Sequence, residues 1–186
     1  MILRGLLALL GCAALLLSAH PALAGGGCLV PTAGYLVHLG GNAGRLEDAP
    51  SFGGRLEYNF SSRHVRAVGL VYSFSRHGLE GQPAGVHLDQ HLCMLGYRFG
   101  RDWRWLNFGS QVSTGAVVRD AHGADDSGFK AGFAIQTGVN MSVCPARWLQ
   151  LGPDVSFLLA TDADKWIFGG KTSYFFYFGG HLAVTF

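Results

Sequence analysis

Phe129-Lys130-Ala131-Gly132-Phe133-Ala134-Ile135-Gln136-Thr137-Gly138-Val139-Asn140-Met141-Ser142-Val143 decides the fold. Phe129, Ala131, Phe133, Ile135, Thr137, Val139, Met141 and Val143 fall on one face of an extended chain. Lys130, Gly132, Ala134, Gln136, Gly138, Asn140 and Ser142 fall on the other. A helix turns through 3.6 residues and cannot present a two-residue alternation as a stripe, so the segment is a strand with one bulky face and one small or polar face. Phe52–Phe60 repeats the pattern, with Phe52, Leu56, Tyr58 and Phe60 opposite Arg55, Glu57 and Asn59. The last stretch does so again, with Tyr174, Phe176, Phe178, Leu182, Val184 and Phe186 against Ser173, Tyr177, Gly179, His181 and Thr185.

The same reading carried along the chain predicts eight strands near 33–41, 52–60, 65–75, 86–99, 105–118, 128–143, 148–160 and 173–186. Most reach the roughly 9–11 residues that a tilted strand needs to cross a bilayer, about twice an ordinary soluble strand. The connections Ser61–His64, Gly100–Arg104 and Pro145–Arg147 are short, whereas Asn42–Ser51, Arg76–Gly85, Arg119–Ser127 and Thr161–Thr172 are longer and polar. Short turns on one side and long loops on the other are the asymmetry of an outer-membrane barrel. The polar face is mostly Gly, Ser, Asn, Gln and Ala, which suits a crowded lumen better than a solvated exterior.

Aromatic residues gather near strand ends. Phe60, Tyr97, Phe99, Trp103, Trp105 and Trp148 lie on the short-turn side, and Phe52, Phe74, Phe129, Trp166 and Tyr174 on the loop side. Two interfacial girdles are expected, where amphipathic rings favour the headgroup level. In hydrocarbon an unpaired backbone group costs several kcal/mol, so the sheet must close. The predicted architecture is all-β: a closed eight-stranded antiparallel up-and-down transmembrane barrel over residues 25–186, with strand one pairing antiparallel to strand eight.

The chain resembles the small eight-stranded outer-membrane barrels of the OmpA/OmpX type from Leu29 to Phe186. Its most specific mark is the final His181-Leu182-Ala183-Val184-Thr185-Phe186. The resemblance implies that Phe186, preceded by alternating apolar residues, is the signal read by the barrel assembly machinery. Nothing is expected beyond Phe186, so the peptidoglycan tether of OmpA itself is not expected here.

The first 24 residues read as a cleaved export signal. Arg4 is followed by the apolar run Leu6–Leu17 and by Ala22-Leu23-Ala24, a small-x-small cleavage pattern. A lipobox-like Leu9-Leu10-Gly11-Cys12 is the less favoured alternative, because it would strand Ala13–Ala24 on the mature protein. After cleavage the chain is close to neutral, with no basic stripe for nucleic acid. Cys28, Cys93 and Cys144 form no disulfide framework. Cys28 and Cys144 are both expected near the turn-side rim, but on strands that are not neighbours. The expected location is the outer membrane of a Gram-negative envelope, among its lipids and lipopolysaccharide.

Two places strain this reading. Pro153 removes a ladder donor from the seventh strand, so a bulge is expected at Gly152-Pro153. In the fourth strand His87, Asp89 and His91 share the parity of Leu95, Tyr97 and Phe99, so a one-residue slip near Cys93 is expected to turn them inward. The expected lumen polar cluster is then Arg55, Glu57, His87, Asp89, His91, Lys130, Asp154 and His181, because charges inside a narrow barrel must find partners across it.

His87-x-Asp89-x-His91 would equally place three metal ligands on one strand face, but no second ligand set accompanies it, so the polar cluster is preferred and no metal or other cofactor is expected. Ser75 with His77, or His122 with Asp125 and Ser127, can be drawn as catalytic triads. Among small barrels that belong to lipid A-modifying enzymes, deacylases carry a His-x-Ser-Asn motif and palmitoyltransferases an amphipathic helix before strand one; neither is present here. Asp125-Asp126 and Asp162-x-Asp164 would suit Ca²⁺ or bridged lipopolysaccharide phosphates, or be solvated loop tips. An eight-stranded barrel holds little beyond its own side chains, whereas aqueous channels need about sixteen strands. The expected function is therefore non-catalytic, structural or surface-interacting through the loops, with a surface ligand that the sequence does not name. A small-solute porin-like channel and a lipid A-modifying enzyme are the alternatives.

Overall fold

The computed structural model describes residues 26–41, 46–60, 66–83, 85–103, 105–123, 129–162 and 172–186. They form eight strands: β1 (Gly26–Gly41), β2 (Ala49–Asn59), β3 (Arg66–Gly78), β4 (His87–Trp103), β5 (Leu106–His122), β6 (Phe129–Ala146), β7 (Leu149–Asp162) and β8 (Thr172–Thr185). Each pairs antiparallel with the next, and β1 pairs antiparallel with β8, so the sheet is a closed barrel without an edge. β1 begins seven residues earlier than the sequence suggests, because Gly26–Thr32 continues the ladder with β2 down to Gly26↔Asn59. The glycines and Pro31 there weaken the sequence signal without preventing the pairing. Residues 1–24, with the predicted export signal, lie outside the described residues.

The two faces are as the alternation requires. Phe133, Ile135 and Val139 are 47%, 42% and 45% exposed on the outside, while Ala134, Asn140 and Ser142 are buried inside. Phe60, Tyr97, Phe99, Trp103, Trp105 and Trp148 are exposed at the turn end, and Phe52, Phe129 and Tyr174 at the loop end. Trp166 lies outside the described residues.

Both expected irregularities are corrected. β4 keeps a single register with β3 from Arg66↔Phe99 to Gly78↔His87, and with β5 from His87↔His122 to Trp103↔Leu106, so there is no slip near Cys93. Pairing on both sides holds β4 in phase, and a slip would have to propagate into both neighbours. Nor is there a bulge at Gly152-Pro153. β7 runs past Pro153 in unbroken register with β8, and its pairing with β6 resumes at Val143↔Leu151 in the register of Asn140↔Asp154. The shift comes instead between Val143 and Ala146, around Pro145, where the ladder is already ending. Beside Pro153, Gly152 lies directly against the Met141 carbonyl, where no Cβ would fit.

We predict that Gly152→Ala lowers stability by about 1–3 kcal/mol through this collision. Gly180→Ala is the control, because its Cβ would meet nothing nearer than the Gly152 carbonyl at 3.5 Å. Urea unfolding of the detergent-folded protein measures both.

Candidate functional site

The lumen has two layers. In the turn-side half, β2 points Arg55 and Glu57 inward, because both occupy the odd positions that face the interior. Arg55 Nε donates to Glu57 Oε1 at 2.9 Å, and its Nη1 reaches across the barrel to Asp154 Oδ2 on β7 at 3.1 Å. Glu57 Oε2 in turn accepts from Arg98 on β4, with Nη2 at 2.8 Å. That pair passes over β3 at Gly69, where a Cβ would press on the Glu57 side chain and backbone. His181 Nδ1 approaches Asp154 Oδ1 to 3.0 Å, and His181 Nε2 lies 2.8 Å from Ser142 Oγ. Arg55, Glu57, Arg98, Asp154 and His181 are all buried. Alternating signs let each buried charge keep a partner, without which desolvation would dominate.

The loop-side half is mainly apolar, although Arg119 Nε donates to Gln90 Oε1 at 3.0 Å there and Ser51, Ser75, His77 and Ser173 are buried as well. Leu36, Leu92, Met94, Val117, Ala134, Leu158, Ala160, Phe175 and Tyr177 form one cluster, with Leu46 and Leu79 packed at the mouth. Leu46 reaches it because the chain after β1 folds back onto the chain after β3, through a Leu46↔Leu79 bridge and Glu47 N–H donating to the Gly78 carbonyl at 2.9 Å. Phe175 is fully buried between the rings of His38 and His77, at centroid distances of 5.2 and 5.3 Å. Between the layers is a cavity of about 30 Å³, bordered by Thr32, Arg55, Gln136, Asp154 and Tyr177 among others, room for about one or two waters.

Of the eight residues expected to meet in the lumen, the structure brings together Arg55, Glu57, Asp154 and His181. Lys130 stands at the loop end, opposite Arg119 in the β5–β6 ladder. His87, Asp89 and His91 are a correction: with no slip in β4, their parity is that of exposed Leu95, Tyr97 and Phe99, and they face outward. His91 leaves the other two, bonding through Nδ1 to the Tyr72 hydroxyl at 2.9 Å with its ring against Phe74. Asp89 is held by Arg76, Nε to Oδ1 at 2.7 Å and Nη2 to Oδ2 at 2.9 Å.

Sequence reasoning missed Arg98, Ser142 and the apolar layer. A signal for Arg98 existed in its parity with Gln90, Leu92 and Met94, which is the inward one.

Ser75 and His77 do touch, at 2.9 Å, but His77 Nδ1 donates to the Glu47 carbonyl, and both side chains are sealed beneath the mouth. Ser142, His181 and Asp154 have the order of a triad, yet Ser142 is 1% exposed, closed off from any substrate. Asp125, Ser127, Asp126 and Asp164 lie outside the described residues. Cys28, Cys93 and Cys144 are free, with Cys28 on β1 and Cys144 on β6, across the barrel from each other.

No protein-family model and no curated protein matches the chain. Solved structures do. Ail, the attachment invasion locus protein of Yersinia pestis, in complex with the heparin analogue sucrose octasulfate, superposes with a TM-score of 0.53 at 14% identity, covering 86% of this chain and 98% of that one. The N-terminal β-barrel domain of Pseudomonas aeruginosa OprF gives 0.51 at 13%, covering 85% and 98%. Neisserial surface protein A gives 0.50 at 11%, covering 87% and 96%. At such identities the likeness is one of fold: this is the closed eight-stranded barrel of small outer-membrane proteins.

We predict that Arg55→Met, which leaves Asp154 and Glu57 without their shared cation, destabilises the barrel by about 3–5 kcal/mol. Arg76→Met, which breaks a pair whose arginine end is open to water, moves the urea midpoint less.

Proposed function

From a barrel with the fold of small outer-membrane proteins, we propose a non-catalytic outer-membrane protein that acts as a structural or surface-interaction element through its loops. The observation that carries this reading is the filled lumen. The Arg55–Asp154 pair bridges β2 to β7, and the apolar layer under Leu46 and Leu79 stops the other end. With the interior occupied, the surface left for recognition is the loop end. The exposed Phe133, Ile135 and Val139 row supports contact with acyl chains. In this orientation the short turns face the periplasm and the long loops face outside.

Phe186 is proposed as the assembly signal. Its N–H donates to the Gly27 carbonyl at 2.9 Å and its ring lies over Gly27, so it both closes the barrel and remains exposed at the turn-side rim.

Outer-membrane fractionation followed by heat-modifiable gel migration tests location and barrel together; a soluble periplasmic fraction would overturn the reading. Planar bilayers containing the protein are expected to record no stable channel events, and steady conductance would restore the pore. Lipid A from cells with and without the protein is expected to give identical mass spectra. Val139, near the middle of β6, tests the lipid face directly. Val139→Arg is expected to cost about 2–4 kcal/mol in vesicle folding, and Val143→Arg, nearer the strand end, well under half of that.

A further inference from the structure

The polar group on the outer face at the loop end of β4 and β5 has a composition and geometry that the lumen network does not explain. His87 and Asp89 on β4 and His122 on β5 stand on adjacent strands, His87 directly opposite His122 and Asp89 opposite Asp120. The ligand atoms of His87, Asp89 and His122 all lie within 4.8 Å of one another. His87 Nε2 is 4.0 Å from Asp89 Oδ1, and His122 Nε2 is 3.8 Å from Asp89 Oδ2 and 3.4 Å from Asp120 Oδ2. The two imidazoles stack at 4.9 Å.

We propose that His87, Asp89 and His122 form a surface site for a first-row divalent metal ion, Zn²⁺ in the first instance. Three arguments support it. The first is geometric: with metal–ligand bonds of about 2.0–2.1 Å, tetrahedral ligands sit roughly 3.3 Å apart, so the observed separations close by small side-chain rotations. The rings are partly exposed and free to make them.

The second is tautomeric. His87 Nδ1 lies 3.0 Å from the Gly85 carbonyl, which can only accept, so in the neutral ring the proton sits on Nδ1 and the Nε2 lone pair is turned to Asp89. A backbone carbonyl behind the ligating ring is the usual outer-shell support of a metal-bound histidine.

The third is charge. Asp89 and Asp120 are directly opposed carboxylates, an unfavourable cross-strand pair unless cations intervene. Arg76 supplies one positive charge, paired with Asp89. A divalent ion between the two imidazoles and Asp89 outweighs the single negative charge that remains and leaves a fourth position for Asp120, water or an anionic group arriving from outside. Two nitrogens and a carboxylate suit Zn²⁺ better than Ca²⁺ or Mg²⁺. Arg76 competes for Asp89 and so sets the affinity. This site is independent of what the loops recognise.

The test is Zn²⁺ titration of the untagged, detergent-folded protein by calorimetry, with Co²⁺ absorption as a spectroscopic readout of tetrahedral nitrogen–oxygen ligation. One Zn²⁺ per chain is expected. His87→Ala and His122→Ala should each weaken binding by at least about tenfold, while His91→Ala leaves it unchanged and Arg76→Gln tightens it several-fold. Heat-modifiable migration verifies that each variant is folded, and the Co²⁺ spectrum of the unaltered protein stands without any variant. Absence of saturable Zn²⁺ binding, or binding unchanged in the His87→Ala/His122→Ala double variant, would overturn the proposal.

Discussion

The hydrogen bonds between β1 and β8, from Cys28↔Thr185 to Gly41↔Ser173, are the constraint on which the rest of the structure depends. A sheet whose outer face is Phe, Leu, Ile and Val can stand in an apolar medium only when no row of backbone donors and acceptors is left open. Closing it at eight strands fixes a narrow bore. The bore in turn dictates what the inward positions hold: side chains from facing walls meet, so large apolar groups must interdigitate and charges must be matched across the axis.

The two lumen layers are different solutions to that crowding. On the turn side, Arg55 serves both Glu57 and Asp154, and Arg98 completes the set; each charge has lost water and gained an opposite charge. Gly69 is part of this arrangement, since a side chain there would occupy the path of the Glu57–Arg98 pair. On the loop side, an apolar cluster shares the bore with the buried Arg119–Gln90 pair and terminates in a lid of Leu46 and Leu79, brought together by loop backbone rather than by the barrel ladder. Removing one partner from the ionic layer is costly because the others stay buried.

The outer face changes character along its length. Bulky residues occupy its middle rows, and at the loop end of β3 to β5 they give way to Arg76, His87, Asp89, Asp120 and His122. Below this group, His91 is tied to Tyr72 and Phe74. The change marks the upper limit of the proposed lipid-facing band, and strands that overshoot that band carry polar chemistry on the same parity as lipid-facing residues. This is why the alternation of His87-x-Asp89-x-His91 with Leu95, Tyr97 and Phe99 suggests a slip where the strand runs on unbroken.

Strand number, closure and the bulky outward row were legible in the sequence because they rest on a local property: successive side chains in a strand point to opposite faces, and Phe129–Val143 declares both. The inward direction of Arg55, Glu57, Asp154 and His181 was legible for the same reason. Partner choice was not. Arg55 meets Asp154 across the bore, ninety-nine residues away, and His122 replaces His91 beside Asp89, through barrel curvature and inter-strand register that no alternation pattern encodes. The continuous register of β4 was likewise decided by neighbours paired on both sides, and that of β7 past Pro153 by its ladder with β8. Periodicity within one strand assigns a face; only the closed sheet assigns the height on that face and the side chain that waits there.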